Sequence, residues 1–189
     1  MTSKTAPQRS DRASAVAAST ALPAAGCWRI DAANSSLQIS VKVGFVATVR
    51  GRFTDVHGQL DLADDVLDSQ IAVEVPTSSL TSGSSHWDSV LMNAGLVDTK
   101  ANPTISFEST GLSPRGDNWL LDGVLVTGRG CLEIQLELAC LGHDVSRIRF
   151  RATGSISSKD AVRLLSQPGV DRLIGKSMGI DLVVEAVRV

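Results

Sequence analysis

Tyrosine is missing from this 189-residue chain, and tryptophan and phenylalanine together make up only 4% of it. So few rings leave little stacking surface for nucleic-acid bases, and any core must be built from Val, Ile and Leu. An excess of either charge is missing too. Against 18 Lys and Arg stand 20 Asp and Glu, a formal charge of -2, so no overall field concentrates nucleic acid or an anionic membrane. Cysteine occurs only at Cys27, Cys131 and Cys140, without Cys-x-x-Cys spacing. That pattern signals neither a disulfide framework nor a zinc site, and free thiols in a reducing compartment are the remaining reading. His57, His86 and His143 form no His-x-x-x-His pair, so no metal centre is expected. No apolar run approaches the ~20 residues of a transmembrane segment.

The N-terminus, MTSKTAPQRSDRASAVAASTALPAAGC, places Lys4, Arg9 and Arg12 before an Ala-rich run that ends at Cys27. This order imitates a secretory or lipoprotein signal, but Ser14, Ser19, Thr20 and Pro23 interrupt the run and Asp11 sits among its basic residues. Residues 1–26 read as a disordered extension and 27–189 as one domain. The expected location is the cytoplasm, with export or lipid anchoring as the alternative if the run is a signal.

From Trp28 onward the chain consists mostly of short alternating segments. In SSLQISVKVGF, Leu37, Ile39, Val41 and Val43 share one parity while Gln38, Ser40 and Lys42 take the other, the period-two pattern of a strand with one dry face. GRFTDVHGQLDL reads as a turn and a second strand carrying Phe53, Val56 and Leu60, forming a hairpin with the first. Ile71, Val73 and Val75 alternate before Pro76, Ile105 and Phe107 do so in TISFESTGL, and NWLLDGVLVTG adds Leu121 and Leu125. CLEIQLELACLG and RIRFRATGSIS place Leu136 and Phe150 among their apolar members. Their Glu133 and Glu137 face an Arg147, Arg149 and Arg151 row across an expected solvated surface. MGIDLVVEAVRV closes the series. Helical spacing of Trp87, Val90, Leu91 and Ala94 predicts one short helix, and Asp160 to Leu165 a second.

About eight strands at regular spacing, with one or two short helices and no strand–long-helix alternation, predict an all-β, antiparallel, lipocalin-like barrel. A barrel of about eight strands is just wide enough to be filled by side chains or to hold one small ligand. Few aromatics, and inward candidates as small as Gly123 and Ala152, favour a hollow.

Catalysis has one candidate cluster, Ser84, Ser85, His86 and Asp88, but these crowd a predicted helix start without a Gly-x-Ser-x-Gly elbow, and helix capping explains the serines. No catalytic residue and no enzyme activity are expected.

GCWRIDAANSSLQISVKV resembles the opening of the YceI family of lipid-binding proteins, whose pattern is roughly Trp/Tyr-x-Ile/Leu-Asp-x-x-His-Ser before alternating apolar residues. VRGRFTDVHGQLDL is similar to its Gly-x-Phe and following Gly. SSLTSGSSHWDSVLMNAGLVDTKANPTISFEST is similar to its Ser-x-x-Thr, Asp-x-x-Leu and Pro-x-Ile-x-Phe-x-Ser elements. The resemblance implies a barrel whose channel accommodates a long isoprenoid or similar lipid, without catalysis or cofactor. The ligand-contacting residues expected are Leu37, Ile39, Val41, Val43, Phe53, Ile71, Val73, Val75, Ile105, Phe107, Leu121, Leu125, Leu136 and Phe150. Asn34 stands where His is usual, Val43 where the strand often ends in His, and Trp87 where Arg often precedes Asp88, removing polar groups expected near the barrel mouths. The alternative is a filled barrel acting as a protein-interaction or self-association module, with a homodimer as its partner state.

Overall fold

The computed structural model describes residues 23–43, 47–85, 88, 97–166 and 174–189. Its strands are β1 (Gly26–Ile30), β2 (Ser36–Val43), β3 (Ala47–Phe53), β4 (His57–Leu62), β5 (Gln70–Pro76) and β6 (Leu80–Thr81), then β7 (Thr104–Arg115), β8 (Asn118–Thr127), β9 (Gly130–His143), β10 (Arg147–Ser157) and β11 (Ile174–Arg188). One helix, α1 (Ser158–Leu165), precedes β11. All pairs are antiparallel. The order β1-β4-β5-β7-β8-β9-β10-β11 returns to β1, closing an eight-strand barrel.

The remaining strands lengthen the same wall. β11 pairs with β1 through Ala186, Val187 and Arg188 and with β2 from Val183 back to Ile174, so β1 and β2 run in series along one side of it. Between them Asp31 bends the chain: its carboxylate accepts from Ala33 N–H at 3.1 Å and Asn34 Nδ2 at 2.9 Å, capping a 3-10 turn over Ala32–Asn34. β3 and β4 are likewise interrupted, and there Thr54 N–H and Oγ1 both donate to Ser79 O at 3.1 Å. Ser79 ends the 3-10 turn Thr77–Ser79 that separates β5 from β6, so neighbouring strands break at the same level. The expected strand carrying both Phe53 and Leu60 is therefore two strands. β3 pairs with β2 and β4 with β1, because the bend at 54–56 hands the chain from one neighbour to the other. Asn34 is exposed and tied to Asp31, on the outer bend rather than at a mouth.

α1 closes one end of the barrel. Ser157 caps its start, accepting from Asp160 N–H at 3.1 Å, and Ala161, Leu164 and Leu165 turn inward and are buried. Its last carbonyls find partners at the end of β8 and in the segment before β7. Leu164 O accepts from Thr127 Oγ1 at 3.1 Å, while Leu165 O accepts from Asp98 N–H at 2.7 Å and from the fully buried Asn102 side chain at 3.4 Å. Of the helix expected around Trp87, only Ser85 and Asp88 are described; both are helical, and the rest lies outside the described residues, as do residues 1–22 of the N-terminal extension.

The outer face carries the charges, but the arginine row of β10 pairs toward β11 rather than β9. Arg147 meets Glu185 at 2.5 Å and Arg151 meets Asp181 through Nη2 at 2.8 Å and Nε at 3.0 Å. The register explains the correction: on the β9 side Arg151 stands opposite Ala139 and Arg149 opposite Gly142, with a bulge between Arg149 and Phe150, so Glu133 and Glu137 miss the row. Glu137 instead accepts from Asn118 Nδ2 at 2.9 Å.

Several carboxylates are held below the ordinary aspartate range. The Arg151 guanidinium holds Asp181 down and that of Arg129 holds Asp98 down; at the β9–β10 turn, the backbone N–H and then the hydroxyl of Ser146 do the same for Asp144. Groups depressed in the folded chain stabilise it above the unfolded aspartate value of about 3.9 and lose that contribution as pH falls through their folded values. The thermal midpoint is expected to stay level from about pH 8 to about pH 5 and to fall below about pH 4, with Asp98→Asn flattening the decline; circular-dichroism melts across pH check this.

A second expectation concerns Gly123 of β8. A Cβ there would strike the Phe107 ring and lie 2.6 Å from Glu108 O. Gly123→Ala should destabilise the barrel by about 1–3 kcal/mol, read from urea midpoints.

Candidate functional site

Alternation along a strand sends every second side chain inward, and here the inward sets of β2, β5, β7, β8, β9, β10 and β11 are almost wholly aliphatic. They do not fill the barrel. A cavity of about 150 Å3 remains, and every described side chain on its wall is apolar. A second hollow of about 110 Å3 shares Leu60, Ile71, Leu121, Leu138 and Phe150 with it, and a third of about 50 Å3 shares Ile39, Leu165 and Met178. The three therefore follow one another along the barrel, from the α1 end to the end bearing the β4–β5 loop.

Of the side chains singled out in the sequence, Leu37, Ile39, Phe53, Ile71, Val73, Val75, Ile105, Phe107, Leu121, Leu125, Leu136 and Phe150 stand on the central wall. Val41 does not; it lines the small hollow beside α1, one step further along β2. The side chain of Val43 lies outside the described residues. Ile134, Leu138, Ala152, Ile180, Leu182 and Val184 also line the cavity and share the parity of their strands, so alternation alone marks them. Met178 carries the same mark as Ile180, two residues further along β11, whereas Ile30, Val56 and Leu165 have none, since they come from a strand end, a bend and the end of α1.

The small residues behave differently from one another. Ala152 opens onto the cavity, whereas Gly123 leaves no hollow: the Phe107 ring lies over it. Gly154 is covered in the same way by Leu136, whose Cδ2 would sit 2.6 Å from an added Cβ. The void comes from the width of the ring, not from glycine.

Among the described residues, the polar side chains of these hollows collect at the far ends. The hollow at the β4–β5 loop includes Asp64, Ser69, Trp119 and Cys140 in its wall. Burial pushes the half-buried Cys140 thiol up, so it stays protonated near neutrality. Elsewhere, Asp88 accepts from Ser82 N–H at 2.5 Å, Ser82 Oγ at 2.6 Å and Thr81 Oγ1 at 2.7 Å, and these bonds hold its carboxyl low. It is an anchor for a turn, and His86 of the same cluster lies outside the described residues. Among the described residues no three His, Cys, Asp or Glu side chains are grouped to hold a metal, and no helix is long and apolar enough to cross a membrane.

A sequence model of the YceI-like domain matches residues 28–186. Among solved structures the chain is similar to BcnA of Burkholderia cenocepacia, with a TM-score of 0.71 and 15% identity over 82% of this chain and 98% of that one. A polyisoprenoid binding domain from Saccharophagus degradans gives 0.63 and 16% over 86% and 98%. A YceI protein of Campylobacter jejuni gives 0.64 and 18% over 78% and 90%. No curated protein matches.

A wall at this density responds to truncation. Leu136 is 4% exposed and touches both the cavity and Gly154. Leu136→Ala should cost about 2–5 kcal/mol in urea unfolding, at the upper end if the enlarged cavity fails to collapse.

Proposed function

The chain belongs to the YceI family, and from that premise we propose that it binds a long-chain isoprenoid or similar lipid in its barrel, as a carrier, store or sequestering protein, without catalysis and without a cofactor. The observation that carries the reading is the row of hollows with an uninterrupted apolar central wall. A dry apolar space of about 150 Å3 is enough for a ring the size of benzene. A flexible chain running on into the adjoining hollows buries more. At about 0.8 kcal/mol per methylene, ten carbons contribute on the order of 8 kcal/mol before the entropy of ordering the chain is subtracted. Met178, unbranched and adaptable, stands where the central and α1-end hollows meet and can move to join them. The polyisoprenoid binding domain with the same fold supports the reading.

Native mass spectrometry of the purified protein, followed by organic extraction, tests it. The expected result is a stoichiometric long-chain species released on unfolding. An empty protein that also refuses added polyprenols and fatty acyl chains would sink the proposal. Ala152→Phe puts a ring into the cavity from β10, and should lower lipid uptake by about tenfold or more while leaving a folded barrel by circular dichroism.

A further inference from the structure

The channel is unequal in charge. Among the described residues, neither the central hollow nor either flanking one has a Lys, Arg or His side chain in its wall, and the one acidic side chain is Asp64, in the hollow under the β4–β5 loop. A buried anion without a cation partner is costly, and among the described residues a carboxylate or phosphate meets no cationic side chain along this wall and an acidic one at its end. Beside Asp64, Ser69 is 8% exposed; its Oγ accepts from Ala63 N–H at 3.1 Å and donates to no group among the described residues. Its hydroxyl proton is therefore uncommitted at the place where the apolar wall gives way to polar groups. Asp64 makes no hydrogen bond or ion pair among the described residues and is exposed, open to a donor arriving through the hollow. Arg188, near the same end, is already engaged, donating to Ala25 O at 2.9 Å with its guanidinium 5.6 Å from the Trp28 ring centre.

An acceptor and a donor side by side match a group that both donates and accepts, and a hydroxyl does so without charge. We propose that the Asp64–Ser69 end of the channel receives the polar terminus of the ligand and selects a hydroxyl-terminated chain, an alcohol or phenol, over one ending in a carboxylate or phosphate. This rests on the carrier reading and deepens it. The opposite hollow, against α1, has Ser166 as its one polar side chain among the described residues and receives the hydrocarbon tail. Asp64 is then a specificity residue: it repels the anionic chains rather than adding much affinity for the neutral one.

Three chains of equal length separate the cases: geranylgeraniol, geranylgeranoic acid and geranylgeranyl phosphate, each titrated against the purified protein at about pH 7 with tryptophan fluorescence and native mass spectrometry as readouts. The alcohol is expected to bind at least about tenfold tighter than either anion. Asp64→Asn should narrow that ratio, and Asp64→Lys should abolish or reverse it. Equal affinities for all three chains in the wild-type protein, or a ratio unmoved by both variants, overturns the selection while the carrier reading stands. Failure of all three chains to bind overturns the carrier reading and the selection with it.

Discussion

Trp28 with Arg188, Arg29 with Val187 and Ile30 with Ala186 join the first strand to the last and turn a sheet into a tube. Without that seam β1 and the end of β11 would both be open edges, and each strand would have an apolar face with nothing to cover it. With it, the dry faces converge and inside and outside become distinct. Trp28, Ile148 and Ala186 are wholly buried beside the seam, and Ile30 is nearly so, which makes it one of the tightest parts of the molecule. Closure also sets the diameter, and the diameter decides that aliphatic side chains alone cannot meet in the middle.

The scarcity of aromatic residues then acquires a structural consequence. Three of the four phenylalanines, Phe53, Phe107 and Phe150, line the central cavity, and the Phe107 ring is spent on covering Gly123. Val, Ile and Leu line the rest but are too short to fill it. A cavity without polar groups has no hydrogen bonds to offer water, so it is an apolar solvent for an apolar chain. The same lack of polar groups makes the ends of the channel, rather than its middle, the place where ligands can be told apart.

Outside, the barrel needs its charges chiefly to keep the second face of each strand wet. Arg151 with Asp181 and Arg147 with Glu185 are exposed pairs between β10 and β11, of a kind that adds little stability singly. Firmer constraints lie in the bends and at the closed end, where Asp31, Thr54, Thr127 and Asn102 satisfy backbone groups that the ladder leaves open. These bonds let three of the barrel walls break and turn while remaining continuous.

Alternation carried much of this. The parity of Leu37 and Ile39, of Ile71 and Val73, and of Leu136 followed from period two, and so did the antiparallel barrel, because strand geometry is local and a one-residue slip would turn every side chain over. The motif order in residues 28–186 was equally readable in the linear chain. Tertiary structure decided the rest. Whether Arg151 met Glu137 or Asp181 depended on register and a bulge; whether Phe53 and Leu60 shared a strand depended on a bend tied to Ser79; whether Gly123 left a hollow depended on a ring from the neighbouring strand. Val41 has the right parity for the cavity yet lines the hollow beside α1, because parity chooses a face and only the position of the closing helix chooses the depth. Asp64 carried no signal at all in the sequence, for a carboxylate in a loop acquires meaning only when closure brings that loop over the end of an apolar channel.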